Sequence, residues 1–98
     1  MTFVLRFAGT AEESLKELKR QPHLSKQFKA VTKALRFLAG NPKHPSLQTH
    51  KYDSLQGPSG EEIFEAYAEQ HAPGAYRIFF FYGPQKKEIV IFAIVSHP

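Results

Sequence analysis

The densest apolar stretch closes the chain. Ala75–Tyr82 and Glu88–Ser96 flank the breaker Gly83-Pro84-Gln85-Lys86-Lys87. Aromatic and β-branched residues dominate both runs, which predicts a β-hairpin with a five-residue turn. Neither run alternates cleanly between apolar and polar, so both read as central strands covered on much of each face. Two polar residues interrupt this pattern, Arg77 in the first run and His97 at the end of the second. A charge in a central strand is costly unless it is paired or opens into a wet cleft. Arg77 and His97 are therefore the first candidates for a site.

Earlier in the chain, Thr2–Phe7 predicts a short strand at or near a sheet edge. Thr10 followed by Glu13 has the spacing of a capping box, and Glu12, Glu13 and Glu17 suit the positive end of a helix over Ala11–Arg20. Pro22 breaks the chain. A second helix starts at His23 or Ser25 and runs through Ala39, because Leu24, Phe28, Val31, Leu35 and Leu38 recur as one apolar stripe. Gly40-Asn41-Pro42 is a stop signal, a left-handed cap followed by a residue that cannot continue the helix. On the same helix Lys26, Lys29, Lys33 and Arg36 share a face. Such a ridge is either a solvated surface or a surface for phosphates or an acidic partner.

Asn41–Gly60 holds three prolines and two glycines with few apolar residues, and predicts a long connection. It carries His44, His50, Lys51 and Tyr52, side chains able to hold a phosphate or stack a base. His44 and His50 lie six residues apart with no cysteine and no fixed third ligand, so a metal site is rejected. Glu61–Gln70 places Phe64, Ala66 and Ala68 on one face and Ile63, Glu65 and Tyr67 on the other when extended. Its Glu and Ala content makes a helix a competitor. Gly60 before it and His71-Ala72-Pro73-Gly74 after it favour a strand turning into the Arg77 run. The outline is β-α-α-β-β-β: an α+β domain, residues 1–98, with two helices on one face of a mostly antiparallel four-stranded sheet.

Composition narrows the class. A 98-residue chain with 42% hydrophobic and 22% charged residues is one ordinary globular domain. There is no cysteine, hence no disulfide and no thiolate chemistry, and the short apolar opening is no signal peptide. A cytoplasmic protein without membrane contact is the expectation. The net charge of +4 hides a segregation. Lys19, Arg20, Lys26, Lys29, Lys33, Arg36, Lys43 and Lys51 precede Asp53, Glu61, Glu62, Glu65 and Glu69, with no acid among the former and no Lys or Arg among the latter. A basic half of this kind invites a polyanion.

On several marks the chain resembles the RelE/ParE toxin superfamily of bacterial toxin–antitoxin systems. They are the two N-terminal helices, the Ser54-Leu55-Gln56-Gly57 loop, the Tyr76-Arg77-Ile78 run, and the closing Ile91-Phe92-Ala93-Ile94-Val95-Ser96-His97. In YoeB-type members the last strand ends in a catalytic His-Tyr; here His97 falls on the histidine and Pro98 stands at the tyrosine.

The resemblance implies a cytoplasmic endoribonuclease that cleaves mRNA, usually on the ribosome, is silenced by a cognate antitoxin, and needs no metal or other cofactor. In that chemistry a base removes the ribose 2′-hydroxyl proton, the oxygen attacks the adjacent phosphate, and an acid protonates the departing 5′-oxygen. Arg77 suits the growing phosphate charge and His97 suits base or acid. Lys51 or His50 is a candidate for the second acid–base group, and Lys26, Lys29, Lys33, Arg36, His50 and Lys51 are candidate RNA contacts. The residues alone also allow an Arg77 bridge to Glu65 or Glu69. Two other functions fit the pattern: a non-catalytic module, either a ParE-like gyrase inhibitor or a degenerate toxin, and a structural RNA-binding protein using the helix ridge.

Overall fold

In the computed structural model, which describes residues 2–69 and 73–97, seven main elements succeed one another. They are β1 (Val4–Phe7), α1 (Gly9–Arg20), α2 (Ser25–Gly40), β2 (His50–Gln56), β3 (Glu62–Tyr67), β4 (Tyr76–Tyr82) and β5 (Glu88–Ser96). Short 3-10 turns at Pro22–Leu24 and Pro45–Leu47 lead into α2 and β2. The strands form a single sheet in the order β1-β5-β4-β3-β2, parallel between β1 and β5 and antiparallel elsewhere. The predicted sheet of four mostly antiparallel strands is thus a mixed sheet of five.

The additional strand is β2, inside the stretch expected to be a structureless connection. Its sequence, HKYDSLQ, is exposed apart from a half-buried Tyr52, so it carries none of the apolar alternation that marks a strand. Pairing with β3 makes it extended (His50↔Glu65, Lys51↔Phe64, Gln56↔Glu62). A register shift between Lys51 and Gln56 and its polar side chains suit an outer strand.

Both helices cover one face of the sheet. The α2 stripe buries Val31, Leu35 and Leu38 against Ile78, Phe80, Ile89, Ile91 and Ile94, with Ala11 and Leu18 from α1. Leu47, fully buried in the same core, pins the loop between α2 and β2. The face away from the helices carries a smaller cluster of Ile63, Phe79 and Phe81, with Tyr52, Val90, Phe92 and Ala93 packed on it. β4 is covered on both faces, as its unbroken apolar run predicts.

Two predicted caps are not formed. The first helix begins at Gly9, so Thr10 lies within it and donates its hydroxyl to the Phe92 carbonyl at 3.4 Å. Gly40 remains in the helix and Asn41 ends it with extended backbone, the Asn41 N–H still reaching the Phe37 carbonyl at 2.7 Å. Among the described glycines, positive φ occurs instead at Gly60 and Gly74, beside β3 and β4. The turn predicted at His71–Gly74 lies partly outside the described residues, and Pro98 lies wholly outside them.

Candidate functional site

The open face of the sheet carries a polar line across three strands. Glu65 on β3 is buried at 2% exposure. It meets Arg77 on β4 through Arg77 Nη1 at 2.8 Å, and His50 on β2 through His50 Nε2 at 2.8 Å. The Tyr67 hydroxyl donates to the same carboxylate at 3.4 Å. Strand register builds this arrangement. His50 stands directly opposite Glu65, while Arg77 stands opposite Tyr67 and so reaches Glu65 on the diagonal. A carboxylate this deep stays in place because donors surround it. Its negative charge and burial hold the Tyr67 phenol above its usual range, burial being the larger cause.

Arg77 is only 18% exposed and lies over the Phe79 ring, its guanidinium carbon 5.0 Å from the ring centre. Its Nε is buried without a hydrogen-bond partner among the described residues. Of the two readings open from sequence, the bridge to Glu65 is the contact formed. Arg77 still retains donor capacity beyond that single bridge, which suits it to a second anion.

His97 joins this face through an irregularity in β5. Phe79 pairs with Ala93 and Phe80 with Ile91, so Phe92 is an extra residue on β5. Val90, before the bulge, lies on the open face, and in a strand alternating without interruption Val95 and His97 would turn toward the helices. In the bulged strand Val95 pairs with Arg77 and Ser96 with Tyr76, and the His97 N–H continues the ladder to the Ala75 carbonyl at 2.6 Å. Arg77 and His97 are then diagonal neighbours on one face, a relationship that spans about 7–8 Å in antiparallel sheets.

The remaining candidates fall elsewhere. Lys26, Lys29, Lys33 and Arg36 are exposed on α2, on the opposite side of the sheet from Arg77. They form a separate basic ridge and cannot join the open-face cluster. Lys51 faces the helix side opposite Phe64, with its ammonium 2.7 Å from Glu62 and 3.6 Å from Asp53. The Glu62 hydrogen bond and charge, then Asp53, hold that ammonium above its usual range. His50 has both ring nitrogens engaged, Nδ1 with the Gln48 carbonyl at 2.9 Å and Nε2 with Glu65. No group of three or more His, Asp or Glu side chains able to hold a metal ion occurs among the described residues. Among the described residues no helix is long and apolar enough to cross a membrane.

Sequence reasoning missed the role of Glu65 as a hub and of Tyr67 as its third donor. The alternation of Ile63, Glu65 and Tyr67 on one face was the available signal; pairing of β3 with a strand inside the proline-rich stretch was not visible. A hollow lined by Lys43, His44, His50, Lys51, Phe64 and Tyr82 also went unread, because it draws on three distant segments.

Neither a family model nor a curated protein matches the sequence. Solved structures do match the fold. A YoeB/ParE toxin from Agrobacterium tumefaciens superposes with a TM-score of 0.71 at 9% identity, over 98% of this chain and all of that one. The YoeB dimer from Staphylococcus aureus gives 0.69 at 14% identity over the whole of both chains. The archaeal RelE-RelB complex from Pyrococcus horikoshii OT3 gives 0.65 at 15% identity, over 98% of this chain and 96% of that one. At these identities the likeness is one of fold, and it extends from end to end: the chain has the architecture of the RelE/YoeB/ParE toxins, the superfamily its Tyr76-Arg77-Ile78 run and closing strand resemble.

Proposed function

We propose that this protein is the toxin of a toxin–antitoxin pair and acts as an endoribonuclease on mRNA, in association with the ribosome. The observation that carries the reading is the placement of Arg77, Glu65 and His50 in one polar line on the open face, with His97 diagonal to Arg77, on a fold shared with RelE and YoeB structures. The reaction uses the RNA's own 2′-hydroxyl as nucleophile and needs no metal. A base takes the 2′-proton, the 2′-oxygen bonds to phosphorus, and the bond to the 5′-oxygen breaks as an acid supplies a proton. A 2′,3′-cyclic phosphate and a 5′-hydroxyl result. Arg77 steadies the phosphate oxygens as charge grows on them, and His97, diagonal to it on the neighbouring strand, serves as an acid–base group. The α2 ridge, on the far side of the sheet, suits an acidic antitoxin segment that wraps the helix and folds on binding. This division of labour leaves the open face for RNA, and the reading implies a cytoplasmic protein working at the ribosome.

Induced expression should arrest growth and degrade mRNA, and Arg77→Ala should relieve both. Growth and transcripts untouched by the wild-type chain would overturn the reading. The Arg77–Glu65 bridge favours one other reading, because it neutralises the cation a phosphate needs. In that reading the chain is a non-catalytic module of the same fold, a ParE-like gyrase inhibitor or a degenerate toxin that binds antitoxin or RNA. Stoichiometric inhibition of gyrase supercoiling with RNA left intact would select the gyrase inhibitor.

A further inference from the structure

At the β2 side of the sheet, past the end of α2, Phe64, Phe80 and Tyr82 form a contiguous group of rings. Phe64 and Tyr82 meet edge to face at 5.4 Å, and Phe80 lies 5.7 Å from the first and 5.8 Å from the second. The loop before β2 lines, with Phe64 and Tyr82, an open hollow of about 450 Å³. That size falls within the range of about 300–1,000 Å³ usual for small-molecule sites. Its floor is aromatic and its rim is basic: Lys43, His44, His50 and Lys51.

The rim is built to meet an anion. Lys43 has no carboxylate within ion-pair distance among the described residues. The His44 ring stacks flat on Phe37, with centres 3.9 Å apart, and its Nδ1 accepts the Ser46 N–H at 3.1 Å. That bond places the proton of the neutral ring on Nε2, leaving a fixed donor. Lys51 is engaged by Glu62 and Asp53, but all three are exposed, and such pairs yield readily to a competing phosphate. Tyr82 is 40% exposed, and burial of the rest raises its pKa, so its phenol is a neutral donor at physiological pH. His50 is shared: it lines the hollow and contacts Glu65 of the open-face cluster.

We propose that this hollow binds one nucleotide of single-stranded RNA, the base against Phe64 and Tyr82 and its phosphate at Lys43 and His44. A flat base matches the floor, since stacking on aromatic side chains accepts any base, and the cationic rim complements its phosphate. The inference deepens the ribonuclease reading and rests on it for the identity of the polymer. Phe64 and Lys51 face the helix side while His50 meets Glu65 on the open face, so the strand would pass round the outer edge of β2 between the hollow and the reacting phosphodiester.

The test uses the full chain, isotopically labelled, and a 2′-O-methyl RNA trinucleotide, which binds without being cleaved. Saturable shifts in the Phe64 and Tyr82 ring signals are expected, with affinity about tenfold weaker for Tyr82→Ala and retained by Tyr82→Phe. Lys43→Ala should weaken binding as well. Shifts confined to the Arg77 face would overturn the proposal, and so would equal ring shifts with inorganic phosphate alone or with a polyglutamate peptide. If the chain cleaves no RNA yet the trinucleotide fills the hollow, the catalytic reading fails and this one stands. Cleavage with silent rings gives the reverse.

Discussion

Arg77 on β4 and Glu65 on β3 are joined by a 2.8 Å ion pair within the sheet, and His50 shares the same carboxylate. Removing one member of a buried pair leaves the other charge without compensation, which typically costs more than the pair itself contributes. Glu65→Ala should destabilise the fold by about 3 kcal/mol, because Arg77 then keeps no carboxylate. For a chain of this size that is a fall in Tm of roughly 10–20 °C. Arg77→Ala should cost less, since His50 and Tyr67 still donate to Glu65. The pair Glu65→Leu with Arg77→Met should recover most of the loss. Denaturant unfolding of all three variants checks the ordering. A neutral Glu65→Ala would show that the bridge is not formed in solution.

Leu47 anchors the loop that presents His44 and leads into β2. It is 1% exposed and packs in the core beneath the helices. Leu47→Ala should cost about 3 kcal/mol, in the usual range for a buried leucine. Its local signature is faster amide exchange over residues 43–51 than over β4, because the loop loses a fully buried apolar side chain. Uniform acceleration across the sheet would contradict that local role.

Alkaline pH should destabilise the fold through three groups acting with one sign. Burial raises the Tyr82 and Tyr67 phenols, and Glu62 raises the Lys51 ammonium. Each therefore binds its proton more tightly folded than unfolded. Their stabilising effect is complete below the unfolded values of 10.0 for tyrosine and 10.5 for lysine, and fades as pH climbs through the higher folded values. Denaturant midpoints should thus fall from about pH 9 upward, and Tyr82→Phe should remove part of the slope. Flat stability up to about pH 11 would contradict the signs.

Local periodicity carried most of the fold. The stripe of Val31, Leu35 and Leu38 and the apolar runs around Arg77 are dense enough to specify their elements from neighbours in sequence. Features set by distant partners were not legible. β2 is extended because β3 pairs with it, not because HKYDSLQ favours a strand, and β1 pairs in parallel with β5 across nearly the whole chain. The site divides in the same way. Arg77 and His97 stood out as polar residues at the ends of apolar runs, and Glu65 shows on one face of an alternating segment. Their meeting depends on register, which sequence leaves open. The charge ridge on α2 was legible as a ridge, but its separation from Arg77 is a property of which sheet face the helices cover.

Register also decides which face His97 occupies, and two deletions in β5 separate its effect from that of packing. Ile91 faces the helices, Phe92 and Ala93 both lie toward the open side, and Ile94 returns to the core. Deleting Phe92 leaves Ile91, Ala93, Ile94 and Val95 in strict alternation, with His97 still beside Arg77. Its cost should be about 1–2 kcal/mol, for the half-buried ring that packs against Phe81. Deleting Val95, which is 38% exposed, leaves Ile94 buried but moves Ser96 and His97 by one position, turning His97 toward the helices. Both variants should fold, while nuclear Overhauser contacts between the His97 and Arg77 side chains should survive only the first deletion. RNA cleavage should track the contacts and not the stability. The same contacts in both variants would mean that His97 finds its place independently of the strand, and register would then have no part in building the site.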